Sequence, residues 1–400
     1  MQRQSIRRRV SRRSFLQSSS AVAAVAAAPG GVFGGGSDRL RVGLVGCGGR
    51  GTAAALHAVT ASGGVEVVAI GDRVAEQVVT AATTLGSVAA SHRGRPLCCV
   101  GDDAADHVLN AGLDLLILAT PPHLRPAQAA AAIRAGVHVY CEPPVAVDAA
   151  GVRPLLASAV EARARGLSFV AGFESRYHPG IAAAVARIRD GLVGRPTRGV
   201  AVAELGPSWR LPRRAEWTDA EDELRNWIAS PRFSGGPMVE HHVHAIDRLL
   251  WAFGDEPPMS AVPIHQHTPL PAPRQTSGAV AVTYRFRDGR EFVAGIERRE
   301  DIVTRVEEAV EGPHGRVDLR AARFADPATP AAVPEAAIRT LITGIRAGRR
   351  TDDLESACRS TLAAILGRDA VAAGERLDWN GLWPAAAEAR PPQSVQSSSV

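Results

Sequence analysis

The chain of 400 residues has no lysine: all 46 of its basic residues are arginine, which excludes any mechanism that needs an amine side chain. Cysteine is scarce and odd in number. Cys47, Cys98, Cys99, Cys141 and Cys358 give neither a disulfide framework nor a metal-binding spacing. No internal repeat is evident. A nucleic-acid-binding surface is excluded once the charges are located, although the pI is near 9.3 and the formal charge is +5. Arg3, Arg7, Arg8, Arg9, Arg12 and Arg13 all fall in the first thirteen residues.

Those arginines belong to a segment that reads SRRSFLQ at 11–17 and then SSSAVAAVAAA to Ala28, a basic region followed by a short apolar stretch ending in small residues. The pattern resembles a twin-arginine export signal. A membrane anchor needs about 20 strongly apolar residues, and this alanine-rich run is shorter and less hydrophobic. Cleavage anywhere from Ala28 to Gly36 would take the formal charge from +5 to −1. The expected location is therefore extracytoplasmic or periplasmic, with the twin-arginine translocase as a partner during export. Unpaired cysteines suit a protein that folds in the reducing cytoplasm before it crosses.

From residue 40, short apolar runs alternate with alanine-rich helical ones. LRVGLV, VEVVAI, LDLLILAT, VHVYCE and LSFVAG read as buried parallel strands, which predicts an α/β doubly wound parallel sheet of Rossmann type. Beyond Gly172 the strands TRGVAVAEL, GAVAVTYRF and REFVAGIER are of mixed polarity, with an Asp288-Gly289 hairpin turn, and predict an α+β domain with an open antiparallel sheet. The expected divisions are 1–36 signal and linker, 37–172 dinucleotide-binding domain, 173–345 substrate domain, 346–384 helical segment and 385–400 disordered tail.

The first strand runs into Gly46-Cys47-Gly48-Gly49-Arg50-Gly51, a G-x-G-x-x-G that opens a helix. Glycines there permit a tight turn and close approach of a pyrophosphate, and the helix start offers free N–H groups to the anion. The second strand ends at Asp72, where a carboxylate can accept both ribose hydroxyls. This favours NAD. The adjacent Arg73 could instead hold a 2′-phosphate, so NADP stays open.

The segment GGPMVEHHVHAIDRLLW packs Glu240, His241, His242, His244 and Asp247 into eight residues. Glu240 and His244 are four apart and share a helical face. Zinc binding lacks a third ligand at fixed spacing, so no metal is assigned, and partly buried structural histidines are the bland alternative. Acid–base chemistry is the third reading, with His244 naturally near neutrality and Glu240 tuning it.

Together with ATPPHLRP at 119–126, CEPPV at 141–145 and GFESRYHP at 172–179, these motifs resemble the Gfo/Idh/MocA family of glucose–fructose oxidoreductases and inositol dehydrogenases. The resemblance covers nearly the whole chain after the signal. It implies a nicotinamide cofactor on the glycine turn, lined on its far side by Thr120, Pro121 and His123, with Glu142 also at the cofactor. It implies a sugar, cyclitol or polyol substrate on the open sheet face, met by Arg176, His241 and Asp247, and catalysis by His244 and Glu240. Family members use a Glu-Lys-Pro motif. Here Glu142 and Pro144 match its ends and Pro143 stands in the middle, so the amine that assists proton transfer is missing.

The leading expectation is an NAD(P)-dependent oxidoreductase with tightly held cofactor. The alternatives are a cofactor-bound sugar-binding protein that no longer turns over, and a glycosidase that works by transient oxidation. His178 is weighed as a capping or packing residue against substrate contact, and Trp209, Trp217 and Trp227 as sugar platforms against core. The resemblance also implies a homo-oligomer.

Overall fold

Six strands form the first sheet in the order β3-β2-β1-β4-β5-β6: β1 Leu40–Val45, β2 Val65–Asp72, β3 Leu97–Val100, β4 Leu115–Leu118, β5 His138–Cys141 and β6 Phe169–Ala171. All pairs are parallel. In this computed structural model the described residues are 39–88, 95–264, 279–300, 304–324 and 334–382; the expected export signal and the tail PPQSVQSSSV lie outside them. Every residue of β4 is buried, as continuous apolar strands flanked by helices on both faces should be. Strand order reverses between β1 and β4, and the carboxyl ends of both strands open on the crevice where doubly wound sheets bind ligands.

The second sheet has seven strands in the order β12-β11-β7-β10-β9-β8-β13. They are β7 Arg198–Leu205, β8 Ser260–Pro263, β9 Val280–Arg285, β10 Glu291–Arg298, β11 Arg305–Gly312, β12 Gly315–Asp318 and β13 Leu377–Asp378. The expected antiparallel sheet is antiparallel except at its centre, where β7 and β10 pair in parallel from Arg198↔Glu291 to Leu205↔Arg298. The Asp288-Gly289 turn joins β9 to β10 as read from the sequence, with Gly289 at φ +84°. One face carries an aromatic core in which Tyr284 and Phe292 lie 4.7 Å apart and Phe253 meets Phe292 at 5.7 Å.

One late helix ties the sheets together and a second covers the first sheet. Leu354–Ala373 packs on helix Ala149–Ala164 and on β8 and β9. Pro334–Arg346, which the sequence reading grouped with the 173–345 segment, lies on helix Gly49–Ala61 instead, burying Ala337, Ile338, Leu341 and Ile342 in the core around β1. Among the described residues, no helix is long and apolar enough to cross a membrane.

Candidate active site

The glycine turn is shaped by two close approaches. At Gly46, with φ +95°, a Cβ would sit 2.4 Å from the carbonyl carbon of Ala119; at Gly51 it would sit 1.9 Å from the Gly46 carbonyl oxygen. Gly48 and Gly49 face open space, with nothing within 4 Å of a Cβ. No side chain caps the helix that starts at Gly49, so its first N–H groups and the helix dipole are left for an anion. This rim fits a dinucleotide pyrophosphate.

Asp72 stands at the end of β2 with Oδ2 accepting from Cys47 N and Oδ1 from Val74 N, both at 2.8 Å. Each oxygen keeps a lone pair for a ribose hydroxyl, and burial lifts the carboxyl above its usual range. The Cys47 thiol beside it donates to Gly71 O and is pushed up by burial, so it is no nucleophile. Arg73, the alternative phosphate ligand, pairs at the surface with Asp102 at 2.9 Å.

From this turn Arg50 reaches into a cleft of about 530 Å³ that both sheets line. Its Nε donates to Glu142 Oε2 at 2.9 Å, and its Nη2 pairs with Glu174. Glu142 is 4% exposed and is followed by a cis Pro143-Pro144 bond. Two successive prolines contribute no N–H, so nearby buried carbonyls need another donor. Arg125 is that donor: Nε reaches Thr120 O at 2.7 Å, and Nη1 reaches Glu142 O at 3.0 Å and Pro144 O at 2.7 Å. One buried guanidinium thus fastens the chain after β5 to the chain after β4, where Thr120 also donates from Oγ1 to Gln128 at 2.7 Å.

The histidine segment is not one continuous helix. Pro237–Glu240 and Val243–Ala252 are separate, with the break at His241-His242, yet Glu240, His241 and His244 all line the cleft. His244 meets the ring of Phe173 edge-on at 5.6 Å. The expectation that its pKa lies near neutrality fails: burial, then Arg248, His241, Arg50 and Arg125, lower it to about 3. The imidazole is neutral and can accept a hydrogen bond, but its protonated form is strongly disfavoured. His241, exposed at the cleft wall, is shifted downward as well, by desolvation there and by Arg298 and Arg248. Glu240 moves the opposite way, raised by burial. His242 is a packing residue, with Nε2 2.8 Å from Ala201 O.

Two residues expected at the substrate are used elsewhere. Asp247 is fully buried, held by Arg176 Nε and Nη2 at 3.0 and 2.9 Å and by Ser360 Oγ at 2.7 Å. Arg176 also pairs with Asp255 and lies over Trp251, and neither partner of this ion pair lines the cleft. His123 stacks on Phe233 at 4.5 Å and lines a separate surface groove with Arg134 and Arg232, while the neighbouring Pro121 is not in the cleft wall. His178 is buried beneath the helix start it precedes. Trp209 and Trp227 stand at the cleft, edge to face at 6.2 Å, whereas Trp217 is buried under Arg225.

Sequence reading missed Arg125, Glu174, Ser175, Arg248 and Glu308. Arg248 holds Glu308 bidentately, with both contacts at 2.6 Å, and donates to Ser175 Oγ at 2.8 Å. Only the apolar-strand context of β11 could have hinted that Glu308 is inside. Among the described residues, no group of three or more His, Cys, Asp or Glu side chains is arranged to hold a metal ion.

Residues 40–169 match the oxidoreductase family with NAD-binding Rossmann fold, GFO_IDH_MocA. The chain is 31% identical over 223 residues to an inositol 2-dehydrogenase of Acidothermus cellulolyticus, covering 55% of each protein. It is 29% identical over 203 residues to a 1,5-anhydro-D-fructose reductase of Ensifer adhaerens, covering 50% of this chain and 53% of the relative. The chain thus spans about half the length of the curated relatives it matches. Among solved structures, myo-inositol 2-dehydrogenase from Lactobacillus plantarum superposes with a TM-score of 0.65 at 18% identity, over 85% of this chain and 99% of that one. Levoglucosan dehydrogenase, in complex with NADH and levoglucosan, does so with the same score, identity and coverage. At such identities the likeness is one of fold. With the glycine turn, the open rim and Asp72 in place, residues 40–169 have the NAD-binding Rossmann fold that the matching family model describes.

Proposed function

We propose that the protein oxidises a hydroxyl group of a sugar, cyclitol or related polyol, using NAD held on the Gly46–Gly51 turn and at Asp72. The observation that carries this reading is a single cleft in which Arg50, from the phosphate-binding turn, meets Glu142 and Pro143 on one side and Glu240 and His244 on the other. NAD, when bound, supplies the hydride acceptor. Neutral His244 accepts a hydrogen bond from a substrate hydroxyl and so selects its orientation. Arg50 and Arg248 are neutralised by Glu142, Glu174 and Glu308, so Arg125 is the wall cation that favours negative charge developing on the substrate oxygen. Trp209 and Trp227 offer faces for a sugar ring at the mouth.

The names of the relatives, inositol 2-dehydrogenase and 1,5-anhydro-D-fructose reductase, support the polyol class. The test is titration of purified protein with NAD and NADP by fluorescence, followed by assays on cyclitols, hexoses and anhydrosugars. Binding of NAD and turnover of at least one polyol is the expected result; protein that binds neither nucleotide ends the reading. Protein that binds NAD and a sugar without turnover would instead be the cofactor-bound binding protein that the absence of lysine suggests. The arginine pair in SRRSFLQ supports export with the cofactor already loaded, and Arg12→Lys with Arg13→Lys should leave the protein in the cytoplasm.

A further inference from the structure

Two polar atoms in the cleft wall are left over by the folded chain. Glu142 is 4% exposed, and while Oε2 accepts from Arg50, Oε1 is buried with no partner in the protein. Arg125 is 5% exposed; Nε and Nη1 are used on three carbonyls, and Nη2 donates to no protein acceptor among the described residues. Both residues line the same cleft. A buried polar atom of a folded protein is nearly always satisfied, so Glu142 Oε1 asks for a ligand that donates a hydrogen bond, while Arg125 Nη2, which is not closed off from solvent, can donate to that same ligand. A hydroxyl group does both through a single oxygen.

We propose that Glu142 and Arg125 receive the reacting hydroxyl, with Glu142 Oε1 taking its proton and Arg125 donating to its oxygen. This rests on the oxidoreductase reading above. In the step, the O–H bond breaks and the proton passes to Glu142 Oε1. The electron pair of the carbinol C–H bond leaves as hydride to the oxidised nicotinamide dinucleotide, which is reduced. A C=O bond forms, and its oxygen stays hydrogen-bonded to Arg125. The chain has no amine to hold this proton, and guanidinium groups stay protonated, so the acceptor must be a carboxylate or an imidazole. His244 is opposed as an acceptor by burial and by the arginines around it. Glu240 is half-buried, as His244 is, and neither of its oxygens is both buried and unpartnered, whereas Glu142 Oε1 is.

Arg50, Arg125, Glu174 and Tyr140 face the Glu142 carboxyl, and burial raises it above the usual carboxylate range despite both cations. A raised carboxyl is the better base near neutrality.

The experiment compares the full chain with Glu142→Gln and Arg125→Met, measuring NAD affinity, kcat, KM, the pH profile of kcat, and polyol binding to the NADH-loaded protein by calorimetry. Expected for Glu142→Gln are NAD affinity within about threefold and kcat lower by about 10²- to 10⁴-fold. The acid limb of kcat, which falls as pH drops through the raised carboxyl in the unaltered chain, should disappear. Arg125→Met should weaken polyol binding at least about tenfold, as loss of a charge-assisted hydrogen bond implies. Unchanged kcat in Glu142→Gln overturns the proposal, as does loss of NAD binding by that variant, which would place Glu142 on the cofactor. If the unaltered chain binds NAD without turning over, equal polyol binding by it and both variants, or by none of them, overturns the proposal as well. Failure of the unaltered chain to bind NAD defeats both this and the functional reading beneath it.

Discussion

The glycine turn and the cleft beyond it are built on opposite plans. The turn is made of backbone: six consecutive residues, two glycines pressed against carbonyl groups, and one carboxylate that ties Cys47 to the end of β2. The cleft is made of side chains from distant segments, with Arg50 on Glu142 and Glu174, Arg125 on three carbonyls, and Arg248 on Glu308. A backbone site is specified by local spacing and tolerates little change in shape. A side-chain site depends on compensation between residues far apart in sequence, so removing one charge strands another.

The largest effect should come from stranding a charge outside both sites. Arg176→Met leaves fully buried Asp247 without its cation, and the expected loss is about 3–5 kcal/mol of stability, read by denaturant unfolding. A change below about 1 kcal/mol would mean the ion pair is not structural. Next, Gly51→Ala places a Cβ against the Gly46 carbonyl and should cost about 1–3 kcal/mol together with NAD affinity. Gly48→Ala, facing open space, should leave stability within about 0.5 kcal/mol and weaken NAD alone. Equal stability losses at the two glycines would break the contrast between pressed and open positions.

Pro143→Lys tests the other plan, because it offers the cleft an amine beside Glu142. A rise in kcat of about tenfold or more is expected if proton transfer limits turnover; an unchanged rate would show that the carboxylate suffices. A pH effect should be smaller. His242 is held at about 4 in the folded chain, below the usual imidazole value of about 6.5, so the unfolded chain binds a proton first as pH falls. That site contributes stability at neutral pH that is lost progressively below about 6.5. Asp353, raised to about 6 by burial, acts in the opposite direction, so the effect is read as the difference between the unaltered chain and His242→Gln from pH 8 to 5. The variant should show the shallower loss. Smallest of all, Trp209→Ala removes a half-exposed ring at the mouth and should raise KM about two- to tenfold with kcat unchanged.

The same contrast explains what could be read in advance. Strands β1 and β2, the turn between β1 and its helix, and Asp72 were legible because each is a short continuous pattern. LCCV at 97–100 was not read as a strand, being four residues on an exposed edge. RVEEAVEG was passed over because its three glutamates argue against a buried strand; Glu308 is inside only because Arg248, sixty positions away, neutralises it. The Glu240 and His244 spacing rightly brought both to one wall although the helix breaks between them. Arg176 and Asp247 looked like ligand contacts and are partners of each other, a relation that no local spacing reveals.

Helix Pro334–Arg346 carries one further consequence. Its Ile338, Leu341 and Ile342 complete the hydrophobic layer over the helix that presents the phosphate-binding N–H groups. During synthesis that layer stays open until the ribosome has released residue 346. Removing this helix would therefore uncover that layer and unsettle a turn far earlier in the chain.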